Sequence, residues 1–189
     1  MILFFYLFYL IISDLIIDQI FIKFFNSELY SFRVFTIIEF ISLSAVLFIL
    51  LQTHTFKRIL LVASSLFFAA LIVDLLTNSV ANFDSIPTGV ESILILFYCI
   101  LLLYESLSEG KPLFSFSVFF AVSLIIFFSG TFFLFIMSQN NFENEEFSQL
   151  YDYIVAISKI LMTLIMSIGL FANNQSKVDA KHHRTFQNI

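Results

Sequence analysis

Six ionisable residues stand inside long apolar stretches of this sequence, where a charged side chain could bind an ion, a proton or a polar ligand. A charge at the centre of a bilayer costs from about 2.5 to more than 10 kcal/mol, so such side chains face a protein interior and often mark functional sites. The residues are Asp14, Asp18, Glu39, Asp74, Glu91 and Lys159.

Lys159 is the only lysine or arginine deep within one of these stretches, so it is the expected partner of a buried carboxylate. Asp14 and Asp18 are four residues apart and share one face of a helix, where two carboxylates repel unless a cation is near. We predict an ion pair from Lys159 to Asp14, Asp18 or Glu39. Two alternatives stay open: side chains that reach water at the membrane surface, and an ion pair that only holds helices together.

The elements that position these residues are apolar stretches of the length that a membrane-spanning helix needs, roughly 20 residues. We count six of them, at about 2–22, 34–51, 59–77, 88–106, 113–137 and 151–171. The sequence therefore predicts an all-α integral membrane protein. It would be a six-transmembrane-helix bundle over residues 1–171 with short loops, followed by a polar cytoplasmic tail over residues 172–189.

The composition of the 189 residues supports a membrane protein. Hydrophobic residues make up 60% of the chain and charged residues only 12%, whereas soluble domains have about 45–50% and 25%. A soluble protein could not cover its surface with so few polar groups, so the lipid bilayer is the expected surroundings. The net charge of −5, with no basic cluster, argues against binding to nucleic acid.

The distribution of basic residues predicts the orientation, because Lys and Arg in short loops favour the cytoplasm. The connectors after the second and fourth stretches, together with the tail, hold six basic residues, whereas the opposite side holds two, Lys23 and Arg33. Both termini are therefore expected in the cytoplasm, and we expect the bacterial cytoplasmic membrane as the location.

With this orientation the polar residues of the stretches gather in the outer half of the membrane. From the helical rise, Glu39 lies about 8 Å and Lys159 about 12 Å below the outer ends of their spans. Ser129, Gly130 and Thr131 of the fifth stretch fall at a similar depth. We predict a polar cavity open to the outside, with Ser129 and Thr131 beside the ionisable residues.

The sequence argues against a cofactor, a metal and a catalytic centre. Its only cysteine is Cys99, and its histidines are His54, in a connector, and His182 and His183, in the tail. The absence of histidine from the spans argues against haem or a buried metal site, and a catalytic triad needs a histidine near its nucleophile. We therefore expect no enzyme activity.

Four stretches resemble a family of small uncharacterised multi-span membrane proteins of Bacteroidetes-type bacteria. They are SDLIIDQIF, ELYSFRVFTIIEF, FAVSLIIFFSGTFFLF and YDYIVAISKILMTLIMSIGL, which lie in the first, second, fifth and sixth spans. That family is remotely similar to the membrane sensor modules of bacterial signalling proteins. The resemblance implies a sensory role and no particular activity.

Three functions fit these observations. The first is a non-enzymatic sensory or signalling module that acts through a membrane partner such as a signalling kinase. The second is an accessory or structural subunit of a larger envelope complex, since hydropathy does not distinguish a lipid-facing from a partner-facing surface. The third is a small ion-coupled transporter with Asp14, Asp18, Glu39 and Lys159 as its relay.

Overall fold

A computed structural model describes residues 28–77, 85–110, 112, 115–141 and 144–186 of the chain. These residues form five helices: α1 (Glu28–Leu50), α2 (His54–Thr77), α3 (Ser85–Ser108), α4 (Phe116–Asn141) and α5 (Glu145–Phe186). The all-α prediction is thus confirmed for the described part of the chain.

Four of the helices are long and apolar enough to cross a membrane. The qualifying segments are 54–74 in α2, 86–108 in α3, 116–134 in α4 and 145–172 in α5. The apolar part of α1, Thr36–Leu50, is shorter. The first predicted span, residues 2–22, lies outside the described residues together with Asp14 and Asp18, so the described helices indicate a membrane protein without reaching the six predicted spans.

The ends of the helices follow local sequence signals. Pro87 stands in the first turn of α3, where its missing N–H is not needed. Gly110 follows the end of α3 with a φ of 63°, the left-handed conformation that commonly ends helices. The Asn144 side chain caps α5 by accepting the Glu146 N–H at 3.0 Å, and Glu145 and Glu146 complement the helix dipole. The acidic residues Glu145 and Glu146 therefore stand at a helix start.

Helix α5 is the largest difference from the predicted elements. The sequence predicts a span that ends at Phe171 and a polar tail, whereas the helix continues without interruption to Phe186. No glycine or proline lies between Leu170 and Phe186, and alanine, lysine, glutamine and arginine in this segment all favour helix.

Helix α3 occupies the centre of the described bundle. Helices α1, α2 and α4 pack against α3, α5 packs against α4, and α1 and α2 pack on α3 more than on each other. Phenylalanine builds much of the core, as in the stacked rings of Phe40 and Phe67, whose centroids are 4.0 Å apart. The outward faces of α2 and α5 carry exposed apolar side chains, including Leu66 and Leu164, which are compatible with lipid contact.

Candidate functional site

The contact between α1 and α3 fixes the relative heights of two glutamates. Thr36 Oγ1 of α1 lies 3.5 Å from Thr88 Oγ1 of α3, and the two helices run in the same direction. Glu39 and Glu91 each follow three residues later, so they lie at one height on neighbouring helices. Glu91 is 1% exposed and Glu39 is half-buried.

Asp74 lies at nearly the same height on α2, which runs antiparallel to α3. The Ser64 hydroxyl of α2 is 3.0 Å from the Tyr98 hydroxyl of α3. Asp74 is ten residues after Ser64 and Thr88 is ten residues before Tyr98, so the antiparallel register places Asp74 beside the Thr88 turn. Asp74 is only 2% exposed. The structure thus buries Asp74 and Glu91, for which the sequence left open a contact with water.

One hydroxyl side chain of α3 and one of α4 also lie at this height. Ser106 Oγ of α3 lies 3.3 Å from Ser117 Oγ of α4. Ser92 is fourteen residues before Ser106 and Thr131 is fourteen residues after Ser117, so Ser92 and Thr131 are level. Both are fully buried, and each hydroxyl donates to a backbone carbonyl one helical turn earlier at 2.8 Å. These bonds let hydroxyls sit in an apolar bundle at small cost.

Helix α5 reaches the same height through a close approach to α4. A methyl group placed on Gly130 would lie 3.1 Å from Ser158 Oγ. Ser158 is buried, and Lys159, the next residue, is half-buried. Ser129 is exposed and donates to the Ile125 carbonyl at 2.5 Å. Gly130 therefore permits a close contact between α4 and α5.

We call this group of residues the polar level. By the helical rise its members span ~8 Å along the bundle axis. They are Thr36, Glu39, Asp74, Thr88, Glu91, Ser92, Thr131, Ser158 and Lys159.

Tyr151 is buried near the start of α5, where its side chain is 9% exposed. Asp152, the next residue, is exposed.

The polar level can hold a cation or a protonatable ligand. Carboxylate and hydroxyl oxygens are hard ligands that suit a proton, an amine or a hard cation. Within the described ranges, no group of three or more His, Cys, Asp and Glu side chains is arranged to bind a metal ion. The chemistry that the described groups support is therefore ligand or proton binding through a few oxygens.

The sequence analysis did not single out Glu105, which stands near the end of the fourth predicted span. Glu105 is 2% exposed, and its carboxylate accepts the backbone N–H of Gln52 at 2.9 Å and of Thr53 at 2.5 Å. The available signal was a short connector at the same end of the bundle, whose N–H groups need acceptors at a helix start.

Tyr98 is fully buried in the core. It also joins two helices, because its hydroxyl donates to the Leu60 carbonyl of α2 at 3.1 Å. Together with Ser64 this contact holds α2 against α3 midway between Glu105 and the polar level.

Comparisons of the whole chain with protein-family models, with curated proteins and with solved structures find no match.

Proposed function

We propose that this protein is a non-enzymatic signalling module of the membrane. In this proposal the polar level lines a cavity open to the outside, binds a small ligand or responds to the state of the envelope, and passes the change to a partner protein. The observation that carries the proposal is α5, one unbroken helix that contains Ser158 and Lys159 of the polar level and continues to Phe186 in the polar tail.

The dimensions of α5 suit transmission across a bilayer. Its 42 residues correspond to ~63 Å, about twice the ~30 Å thickness of the hydrocarbon. Its apolar segment ends at Ala172, so its last 14 residues extend ~21 Å further. A continuous helix carries a small shift or rotation at Ser158 and Lys159 along its whole length, as helix shifts do in other switching proteins.

The charges at the two ends of the bundle support an orientation. His54, Lys57 and Arg58 stand in the first turns of α2, whereas Glu145 and Glu146 begin α5 at the opposite end. The basic end is proposed to face the cytoplasm of a bacterial cell, with both termini on that side. The proposal keeps the six predicted spans, with residues 2–22 as the first.

The test interrupts α5 between the membrane segment and its polar extension. We expect the tagged full chain, purified from native membranes in mild detergent, to carry a signalling kinase in a fixed ratio. Asn174→Pro should change the phosphorylation of that kinase, because proline breaks the helix at a cost of ~3 kcal/mol, whereas Asn174→Ala should leave it unchanged. Recovery of the chain without a signalling protein, or equal effects of the two substitutions, contradicts the proposal.

A second candidate function is ion-coupled transport, which the common height of Glu39 and Glu91 favours. Two carboxylates on adjacent helices can hold one proton or cation between them. Proton or Na⁺ flux into liposomes containing the purified chain tests this candidate. A transporter requires flux that falls with Glu39→Gln and with Lys159→Met, and flux equal to that of protein-free liposomes excludes it.

A further inference from the structure

Glu105 is a buried carboxylate that contacts another part of the chain. Each of its carboxylate oxygens accepts one backbone N–H, from Gln52 and from Thr53. A buried charge is costly unless it is hydrogen-bonded, and hydrogen bonds to an ionised acceptor are about twice as strong as neutral ones. The contact is therefore among the stronger polar interactions that a single side chain can make.

The two N–H groups belong to the connector between α1 and α2. The Leu51 N–H bonds to the Leu47 carbonyl at the end of α1, and the Lys57 N–H bonds to the Thr53 carbonyl at the start of α2. Thr53 thus stands directly before His54, the first residue of α2, and backbone N–H groups at a helix start have no partner within the helix. Glu105 accepts from α3 the Thr53 N–H, which a side chain of the first helical turn accepts in a capping box, and also the Gln52 N–H, which precedes the helix.

The charges near the start of α2 favour a negative group at the position of Glu105. The first turn of α2 contains no acidic residue, and Lys57 follows directly, so the positive end of the helix dipole has no negative group from its own helix. The Lys57 ammonium lies 5.0 Å from the centre of the Phe48 ring of α1. The Glu105 carboxylate therefore stands where a negative charge is most stabilising.

The residue that follows Glu105 in α3 contacts α4. Ser106 is fully buried and lies 3.3 Å from Ser117 of α4, which lies 3.1 Å from Ser115. Adjacent residues of α3 thus connect the α1–α2 hairpin on one side and the start of α4 on the other. Because α1 and α2 pack on α3 more than on each other, the hairpin depends on α3 for its position.

We propose that Glu105 is a latch that fixes the α1–α2 hairpin to α3, and that its release lets α1 and α2 pivot on α3. The pivot follows from the other polar contacts to α3, the Tyr98 contact midway and the Thr36–Thr88 contact at the far end. Opening at Glu105 would therefore separate the helices at one end and tilt α1 at the polar level. The latch is independent of the proposed function.

The test uses electron paramagnetic resonance on the full chain to measure the distance between a label on α2 and a label on α5. Cys99→Ala removes the only native cysteine, and Thr55→Cys and Phe171→Cys place spin labels on exposed positions at the same end of α2 and α5. Glu105→Ala removes both acceptors, and Glu105→Gln keeps the side-chain size but only one acceptor oxygen. Glu109→Ala is the matched control, an exposed glutamate one turn later.

The expected result is a shifted or two-peaked distance in both Glu105 variants, with a displacement on the order of one helical turn, about 5 Å. Amide exchange of Gln52 and Thr53 should also accelerate, roughly tenfold to a hundredfold in Glu105→Ala and less in Glu105→Gln. Glu109→Ala should change neither quantity. A folded Glu105→Gln protein with faster exchange and an unchanged distance would overturn the latch, since Glu105 would then be a local cap only.

Discussion

Tyr98 illustrates how a single hydroxyl joins helices in an apolar core. Its ring is fully buried beside Cys99 and Leu102, and its hydroxyl bonds to the Leu60 carbonyl and lies near Ser64. Within hydrocarbon such a bond has no competition from water, yet bonds of this kind contribute only about 0.6–2 kcal/mol, because the unfolded chain in the membrane finds other partners.

We expect Tyr98→Phe to destabilise the protein by about 1 kcal/mol, since it removes the hydroxyl and keeps the ring. In thermal unfolding in detergent this corresponds to a midpoint lowered by ~2–4 °C. The control is Tyr104→Phe, because Tyr104 is 62% exposed. Equal shifts for the two substitutions would show that the Tyr98 hydroxyl does not stabilise the fold.

Lys159 raises the question of which carboxylate it pairs with. The predicted partners are Asp14, Asp18 and Glu39, of which only Glu39 lies within the described residues, at the height of the Lys159 turn. We expect Lys159→Met to interact in a double-mutant cycle with just one of Asp14→Asn, Asp18→Asn and Glu39→Gln, by about 0.5–3 kcal/mol. Unfolding midpoints of the single and double variants measure this coupling. Additive effects in all three cycles would exclude the ion pair.

At the scale of elements, the packing of α4 on α5 depends on two glycines in different ways. A methyl group on Gly169 would lie 2.5 Å from Phe119 Cβ, an atom next to the α4 backbone that has little room to move. A methyl group on Gly130 would meet only the Ser158 hydroxyl at 3.1 Å, and a serine hydroxyl can rotate away. The two helices are thus held at their closest approach by Gly169.

We therefore expect Gly169→Ala to destabilise the protein by about 1–3 kcal/mol, the usual cost of overpacking. Gly130→Ala should change the stability by less than about 1 kcal/mol, because the gain in helix propensity offsets a small adjustment of Ser158. Thermal unfolding of both variants in the same detergent makes the comparison. A larger loss for Gly130→Ala than for Gly169→Ala would contradict the described packing of α4 and α5.

The sequence predicted the helical class and most helix positions because long apolar stretches and helix-start signals are local. The start of α3 at Ser85, with Pro87 in its first turn, is one such signal. The role of Glu105 could not be predicted, because its N–H donors lie more than 50 residues earlier in the chain. The helices are apolar on nearly all sides, so periodicity does not reveal which face of each helix is buried.

The position of the polar level along the helices could be predicted from the sequence, whereas the burial of its side chains could not. Counting residues from the span ends placed Glu39, Glu91 and Lys159 in one half of the membrane, and the contacts along α3 align Glu39 with Glu91. Whether Glu91 reaches water depends on which helices surround α3. Only the packing of α1, α2 and α4 around that helix decides this question.

At the scale of the whole molecule, opposite charges mark the two ends of the bundle. Glu105 contacts the α1–α2 connector, and Gly169 lies against Phe119 of α4. The starts of α2 and α4 therefore lie at the same end of the bundle as the end of the apolar segment of α5. His54, Lys57 and Arg58 stand at this end, whereas Asn144, Glu145 and Glu146 stand at the other. Because Lys and Arg are retained on the cytoplasmic side, this asymmetry predicts how the bundle inserts.

We expect a cysteine at Thr55 to be reached from the cytoplasm and a cysteine at Glu146 from outside. Both positions are exposed, and Cys99→Ala removes the native thiol, which is fully buried. A membrane-impermeant maleimide added to intact cells should label Glu146→Cys and leave Thr55→Cys unlabelled. In inverted membrane vesicles the pattern should reverse, because the basic end then faces the reagent. Labelling of Thr55→Cys in intact cells would show that the orientation is the opposite of the proposed one and that the polar level lies in the cytoplasmic half of the membrane.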